Sequence, residues 1–522
     1  MKKIAKFCLF IHKTRTFYFA AIILVSLLFG ESANCQICDI IPTENLPDGS
    51  TTSWETAGCE VITSAIEYSH YINVADFGVV GDGTTYNYDA ISDIFSDVAT
   101  NDFSIIYFPA GIYMIEQKLT LPENIVLKGA GSDSTKLKFD LTVNDECICV
   151  NVDTVGIEDL YIERIDTDSD VGDNIEFNNA VNCWVRGVES YNPQKYHLSI
   201  LGTSSYISIS GCYFHDAQDY GGGGHGYGIS LKNTSNHCKI ENNIFEHLRH
   251  SVILQHGPNR NVFGYNYSRD TYGTYEVYPG FEIEIPVADI CLHGDLTTEH
   301  TYTGATYNLF EGNIVDWILV DAVWDYNGPY NTFFRNYADD GTSYDGFQIE
   351  SNHDGDAITD TAQYQQNIVA CDAQPNTETE DSLAVYGFSD FWPDTFLDIS
   401  DAQSSYYYAT QPDFMTSWPF IVNQGNPAKD RWDAGECKTV FVGFDDYESA
   451  NEIIYGDVNN DDNVTSYDAA LTLQYSAGLI SDWTENQITA GDVNGDENIS
   501  SYDAALILQY SAGLIDEFPV EN

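Results

Sequence analysis

Between residues 150 and 360 the apolar positions of this chain recur as two interleaved sets of short runs. The first reads IEDLYI at 157, VRGVES at 185, ISGCYF at 209, IENNIF at 240, VFGYNY at 262, LFEGNI at 309 and TFFRNY at 332. The second reads HLSIL at 197, GISLK at 228, SVILQ at 251, DICLH at 289, WILVD at 317 and GFQIE at 346. Alternation within a run is the period of a half-buried strand. Most spacings in the first set lie between 22 and 31 residues, with one of 47. Runs returning at that period predict a solenoid of parallel strands, two to a coil, with an insertion in the long interval. Asn243, Asn266, Asn313 and Asn336 recur near the ends of the first set, where stacked amides cap turns.

Side chains alternate in and out along a strand, so the second set can be placed in columns. If Ile229, Val252, Ile290, Ile318 and Phe347 point inward, then Lys232, Gln255, His293, Asp321 and Glu350 form one outward column. His225, Arg249 with His250, Asp316 and Asp345 precede the same strands. One face therefore carries a ladder of titratable groups, basic toward the N-terminal coils and acidic toward the C-terminal ones. The stretch 225–256 packs five of the 12 histidines with Lys232, Lys239 and Arg249 into a chain of 80 acidic and 21 basic residues. His237 and His247 fall at turn positions. The insertion, 268–288, holds Tyr272, Tyr275, Tyr278 and Phe281, which either stack on sugar rings or pack the loop onto the solenoid.

Outside the repeats the pattern changes. Lys2, Lys3, Lys6, Lys13 and Arg15 precede an apolar run at 17–29 and then Gly30, Ser32 and Ala33, the order of a secretory signal. The run is shorter than a spanning helix, so residues 1–34 read as a signal peptide and the mature protein as secreted, extracellular or at the cell surface, with no membrane span. An uncleaved anchor and a lipidated Cys35 are the alternatives. Residues 35–70 form a polar N-terminal cap in which Cys35, Cys38 and Cys59 sit close enough in sequence for a bridge, and 404–420 a closing cap. The net charge of -59 repels nucleic acid and anionic membranes. Cys183, Cys212, Cys238 and Cys291 lie inside apolar strand runs and read as small buried residues rather than zinc ligands, which favour tighter spacing such as C-x2-C.

Three motifs upstream of the repeats carry a resemblance: YINVADFGVVGDGTT from Tyr71, YFPAGIY from Tyr107 and IVLKGAG from Ile125. Together they resemble the opening of the pectate-lyase-like right-handed parallel β-helix superfamily, which implies an all-β catalytic domain over 71–430. The family often has Asp-Asp-Thr before its capping helix; this chain has Tyr86, Asn87, Tyr88 and Asp89. Past a linker at 431–453, GDVNNDDNVTSYDAALTLQYSAGLI from Gly456 repeats as GDVNGDENISSYDAALILQYSAGLI from Gly491. Positions 1, 3, 5, 9 and 12 of a calcium loop are Asp457, Asn459, Asp461, Thr465 and Asp468, then Asp492, Asn494, Asp496, Ser500 and Asp503. The duplication, 454–522, resembles a type I dockerin, which implies two Ca2+ sites and docking to a cohesin-bearing scaffold protein. Ser466 with Tyr467 and Ser501 with Tyr502 match the family's partner-choosing positions, and Asp462 and Glu497 stand where a glycine is usual.

Related β-helix enzymes hold a polysaccharide substrate along such a titratable face, and two chemistries compete for it. A lyase acting by β-elimination on a uronic acid needs a base and a cation beside the carboxylate, which His225, Lys232, Arg249, His250 and His293 supply. A glycoside hydrolase needs two carboxylates, which Asp316, Asp321, Asp325 and Glu350 supply. Gly224 to Gly226 resembles a motif of the polygalacturonases, whose other motifs are missing. Asp321 and Asp325 are also candidates either for a further calcium on this face or for capping the turn at Asn327 to Pro329. The lyase reading leads, the hydrolase follows, and a non-catalytic glycan-binding β-helix docked through cohesin is the third.

Overall fold

The computed structural model of the chain describes residues 50–59, 70–98, 103–141, 145–166, 172–221, 224–278, 281–293, 304–321, 330–338, 347–349, 368–371, 375–377, 384–385, 405–408, 411–412, 414–415, 426–436, 455–458, 464–480, 483, 485–496, 498–515 and 517–521. The leader, Cys35, Cys38, Asp325, Asp345, Glu350, Asn459, Asp461, Asp462 and Glu497 lie outside them. The chain divides into two compact units, Met1–Val440 and Phe441–Asn522.

The first unit is a right-handed parallel β-helix. Its coils carry three strands rather than two. Trp184–Arg186, Glu189–Tyr191 and Tyr196–Leu201 make one coil, and each pairs in parallel with its counterpart in the next: Ser208–Ser210, Tyr213–His215 and Tyr227–Lys232. Each six-residue run of the first set thus rounds a corner between two strands, except the last, where one strand, Thr332–Ala338, pairs with both strands of the coil before it. The residue at the corner is left-handed in every repeat: Asp159, Gly187, Gly211, Asn242, Tyr265, Gly312 and Arg335 have φ between 53° and 69°. Glycine marks only three of these corners, so the sequence pattern passed over the break.

Two amide ladders hold the later corners. The Nδ2 groups of Asn243, Asn266 and Asn313 each donate to the Oδ1 of the next coil's asparagine, at 3.0, 2.9 and 2.8 Å, ending on Asn336. A second ladder, Asn261 to Asn308 to Asn331, has both links at 3.0 Å. Inside, stacked side chains fill the coil: Phe263, Phe310 and Phe333 repeat at centroid separations of 4.8 Å. Burying each such ring contributes roughly 1.5–3 kcal/mol.

At the N-terminal end the helix Tyr88–Asp97 buries Ile91 and Ile94 over the first coils. Asn87, where the family's usual acid is missing, is buried and ties the turn: it donates to Val80 and Thr85 carbonyls and accepts from the Val80 N–H at 2.7 Å. Asp82 accepts N–H groups of Thr84 and Thr85, which hold its carboxyl down to about 2. The described parts of the segments read as caps, 50–59 and 405–408 with 411–412 and 414–415, lie along the sides instead. Trp54, Tyr406, Tyr407 and Met415 pack on Val262, Tyr265, Leu309 and Phe334 of the first-strand sheet. The helix Pro427–Asp433 crosses residue 430 and seats Ala428 and Trp432 on Tyr213, Ile244 and Tyr267 of the second. Both straps use aromatic outward residues that a closing cap has no need of.

The insertion is an antiparallel hairpin, Tyr272–Tyr278 with Phe281–Pro286. Tyr272 stacks on Tyr220 and donates its hydroxyl to, or accepts from, His247 Nε2 at 2.7 Å, while Tyr275 is exposed. His237 and His247 are left-handed turn residues. Cys183, Cys212, Cys238 and Cys291 are buried. In the second unit, helices Ser466–Ser476 and Ser501–Ser511 pack around Ala469, Val493, Leu506, Ile507 and Phe518.

Candidate functional site

The ten-stranded third sheet positions the titratable face. Ile229, Val252, Ile290 and Ile318 enter the core, as do Leu231, Leu254, Leu292 and Val320, so the residues between and after them turn outward. The register aligns Lys232 with Gln255, Gln255 with His293 and His293 with Asp321. That is the expected column; Glu350, its next member, lies outside the described residues. A second outward column runs Ser199, Ser230, Ile253, Cys291, Leu319, and a third runs Tyr196, Tyr227, His250.

The third column holds the residues most suggestive of chemistry. The Tyr227 ring lies 5.5 Å from Tyr196 and 4.9 Å from His250. His250 Nδ1 is 2.6 Å from the Ala288 carbonyl, to which it donates, so the neutral ring presents its lone pair at Nε2. Burial pulls this imidazole down to about 4, helped by Arg249 and His293. Burial raises the Tyr227 phenol, which stays protonated although Arg249 opposes the shift. The Lys232 ammonium donates to Tyr196 Oη at 2.7 Å, and the Arg249 guanidinium lies 5.9 Å from the Tyr227 ring centre and donates to the Gly221 carbonyl. A base, a protonated phenol and two cations thus share one patch.

The other candidates fall around it. His225 precedes the strand of Tyr227 and pairs through Nδ1 with Asp219 at 2.7 Å. His293 Nδ1 is 2.5 Å from Asp321 Oδ2. Asp316 lies close enough to Tyr267 for its charge to act on that phenol, and its N–H donates to Asp289 at 3.0 Å. Asp289 is buried and also accepts from Ser268, Thr271 and the Trp317 N–H, a structural carboxylate. Tyr196, Tyr227 and Asp173 were not among the residues the sequence singled out. The tyrosines open their strands two places before the inward Leu198 and Ile229, where alternation alone would point them inward, and Asp173 gives no signal in the repeat. Burial pushes Asp173 up to about 7, against the Ser199 hydroxyl that donates to it at 2.5 Å. With Glu146 and Glu176 near it, the face is acidic again at its N-terminal end, so the charge runs acidic, basic, acidic rather than basic to acidic.

A calcium on this face does not fit the described donors. Calcium takes six to eight oxygens, whereas the groups that converge are Cys291, His293 and Asp321. The C-terminal loops fit it well. Asp468 Oδ2 accepts the N–H and hydroxyl of Thr465 at 2.9 and 2.8 Å, and Asp503 repeats this with Ser500 at the same distances. Asp503 Oδ1 is buried and lacks a hydrogen-bond partner, the condition of a carboxylate oxygen kept for a cation. The side chains of Asp492, Asn494 and Asp496 fold back on the loop and accept the backbone N–H groups of Gly495, Asp496 and Asn498, with Gly495 at φ 73° making the turn.

Residues 71–270 match the family model described as rhamnogalacturonase A/epimerase, pectate lyase-like, and residues 455–510 that of the dockerin type I domain. No curated protein matches the chain. Among solved structures it is similar to ORF18 of Geobacillus virus E2, at 18% identity over 60% of this chain and 61% of that one, with a TM-score of 0.40. It is similar to an exopolygalacturonase from Thermotoga maritima, at 12% identity over 62% and 82% of the two chains, TM-score 0.41. It is similar to an alginate lyase from Paenibacillus sp., at 13% identity over 61% and 98%, TM-score 0.38. The chain spans 61% of the Geobacillus virus protein's length and 36% of that of gene product 12 of bacteriophage phi29.

Proposed function

We propose that this chain, a pectate-lyase-like β-helix over 71–270 joined to a type I dockerin domain over 455–510, is a secreted enzyme that cleaves a uronic-acid-containing polysaccharide by β-elimination. The observation that carries the reading is the juxtaposition of Tyr227 and His250, rings 4.9 Å apart, with Arg249 over the tyrosine. His250 Nε2 takes the proton from C5 of the uronate. The electron pair forms the C4–C5 double bond, the C4–O bond breaks, and the leaving oxygen takes the Tyr227 proton. Arg249 and Lys232 offset the charge that builds on the carboxylate in the transition state. Positioned proton transfer of this kind accounts for about 10²–10⁴-fold of rate.

The domain plan belongs to the same proposal: a leader at 1–34, a segment 35–70 whose described part packs along the side of the solenoid rather than capping it, a catalytic solenoid from 71 with the helix Pro427–Asp433 packed against it, a linker after that helix, and a dockerin at 454–522 that binds two calcium ions and a cohesin-bearing scaffold. Among the described residues no helix is long and apolar enough to cross a membrane. The test incubates the full chain with pectic, alginate-type and neutral glycans and follows unsaturated-uronate absorbance and reducing ends together. Absorbance rising with reducing ends supports elimination. Reducing ends alone mean hydrolysis, and binding without either means a glycan-binding protein; both would remove the lyase.

A further inference from the structure

We propose that Cys291, His293 and Asp321 form a three-ligand site for a divalent metal ion of the zinc class on the outer face of the third sheet. Cys291 and His293 stand two apart on the strand Ile290–His293, so both side chains leave the same face. Asp321 is the register partner of His293 on the neighbouring strand, diagonal to Cys291. The consequence is convergence: one Sγ, one ring nitrogen and one carboxylate oxygen lie within 4.8 Å of one another.

The hydrogen bonding has the form of a metal site holding protons. Cys291 Sγ lies 3.4 Å and His293 Nδ1 2.5 Å from the same oxygen, Asp321 Oδ2. Two donors crowd one acceptor. A divalent ion that takes the place of both N–H and S–H contacts would draw the same three atoms into one coordination sphere, with the thiol releasing its proton to solvent and the neutral imidazole carrying its ring proton at Nε2. Sulfur, nitrogen and oxygen donors together suit zinc or cobalt(II) and not calcium or magnesium, which take oxygen. Three protein ligands leave a tetrahedral ion one open position, the arrangement of catalytic rather than structural zinc. The C-x2-C spacing sought in the sequence misses such a site, because a strand offers ligands at i and i+2 and finds the third across the sheet.

The surroundings suit a working ion. Tyr227 lies close enough to Cys291 and Asp321, and His250 to His293 and Asp321, for their charges to act on one another. An ion here borders the proposed base and proton donor, and its open position would take a carboxylate oxygen of the glycan. That role rests on the elimination reading; the metal site itself does not.

Cobalt(II) titration of the full chain, with the dockerin loops saturated with calcium, separates the two. The expected result is one equivalent of cobalt with a thiolate-to-metal charge-transfer band in the near ultraviolet, displaced by zinc. Cys291→Ser, with unchanged circular dichroism, should lose the band, and Asp321→Asn should weaken binding at least tenfold. Absence of the band, or equal cobalt affinity in Cys291→Ser, Asp321→Asn and the parent, overturns the site. Product formation is scored separately with and without zinc, so an inactive protein that binds cobalt in this way sinks the elimination reading and leaves the metal site standing.

Discussion

Tyr227 and His250 are register partners on adjacent strands, with their rings 4.9 Å apart and inclined at 66°. The parallel ladder fixes this pair: a coil-to-coil step of about 4.8 Å stacks whatever occupies equivalent positions. Their chemistry is complementary, since one is a neutral ring with a lone pair outward and the other a phenol that keeps its proton. His250→Gln should therefore reduce unsaturated-uronate production by about 10²–10⁴-fold. Tyr227→Phe should reduce it by a similar factor with little change in KM. Steady-state rates on the best polyuronate check both, and a loss below threefold in either variant would remove that residue from the chemistry.

Protons should set opposite slopes on stability. Burial holds His250 near about 4 and His197 near about 3, below the ordinary histidine value of 6.5. The unfolded chain takes up these protons first, so their contribution is complete above pH 6.5 and is lost as pH falls toward 4, at about 1.4 kcal/mol per pH unit for each. Asp173, raised to about 7, acts the other way: its ionised form is disfavoured in the fold, and stability declines as pH rises from its unfolded value toward 7. Asp173→Asn should stabilise the chain on the order of 1 kcal/mol at pH 8 and change little at pH 4. Urea midpoints across that range decide it, and equal midpoints at pH 8 would show that the carboxylate ionises freely.

Repetition made the fold legible before any coordinates. A solenoid writes each coil in the same code, so the outward column from Lys232 through Gln255 and His293 to Asp321 follows from spacing alone. Corners were another matter. Asp159, Asn242, Tyr265 and Arg335 adopt the left-handed turn that glycine announces at Gly187, Gly211 and Gly312; Asp and Asn tolerate it and give a weak mark, whereas nothing in the identity of Tyr265 and Arg335 announces it. Tyr196, Tyr227 and His250 escaped grouping for a related reason: they stand two places before Leu198, Ile229 and Val252, which enter the core, so strict alternation would send them inward too, whereas the two tyrosines pack in the outer cluster. Contacts between distant segments, such as Trp54 with Tyr406, have no local pattern at all.

The amide ladder supplies a stability prediction. Asn313 accepts from the Asn266 N–H and Nδ2, and donates to the Phe263 carbonyl and to Asn336 Oδ1. Asn313→Ala strands buried donors and acceptors on both neighbours, each worth about 1–3 kcal/mol when unsatisfied. The expected loss is roughly 3 kcal/mol or more, read as a lower denaturant midpoint. A loss under about 0.5 kcal/mol would mean water replaces the side chain without penalty.

The two halves of the C-terminal unit should be interchangeable in docking. Tyr467, Leu473 and Leu479 are 60%, 50% and 74% exposed, and Tyr502, Leu508 and Leu514 repeat them at 59%, 50% and 73%. Exposed apolar side chains at matching places on two helices and the turns that follow them give two equivalent faces open to a partner. Each face is held by its own loop, through Asp468 on Thr465 and Asp503 on Ser500. Replacing Ser466 and Tyr467 alone should leave affinity for a cohesin within about threefold, under 0.7 kcal/mol, because the second face takes over. Replacing Ser501 and Tyr502 as well should weaken it at least about a hundredfold, roughly 2.8 kcal/mol. Calorimetry on the calcium-loaded full chain measures both, and chelation should abolish binding together with helical circular dichroism from this unit. A hundredfold loss from the first pair alone would show one face in use, and binding indifferent to chelator would show that calcium does not organise either.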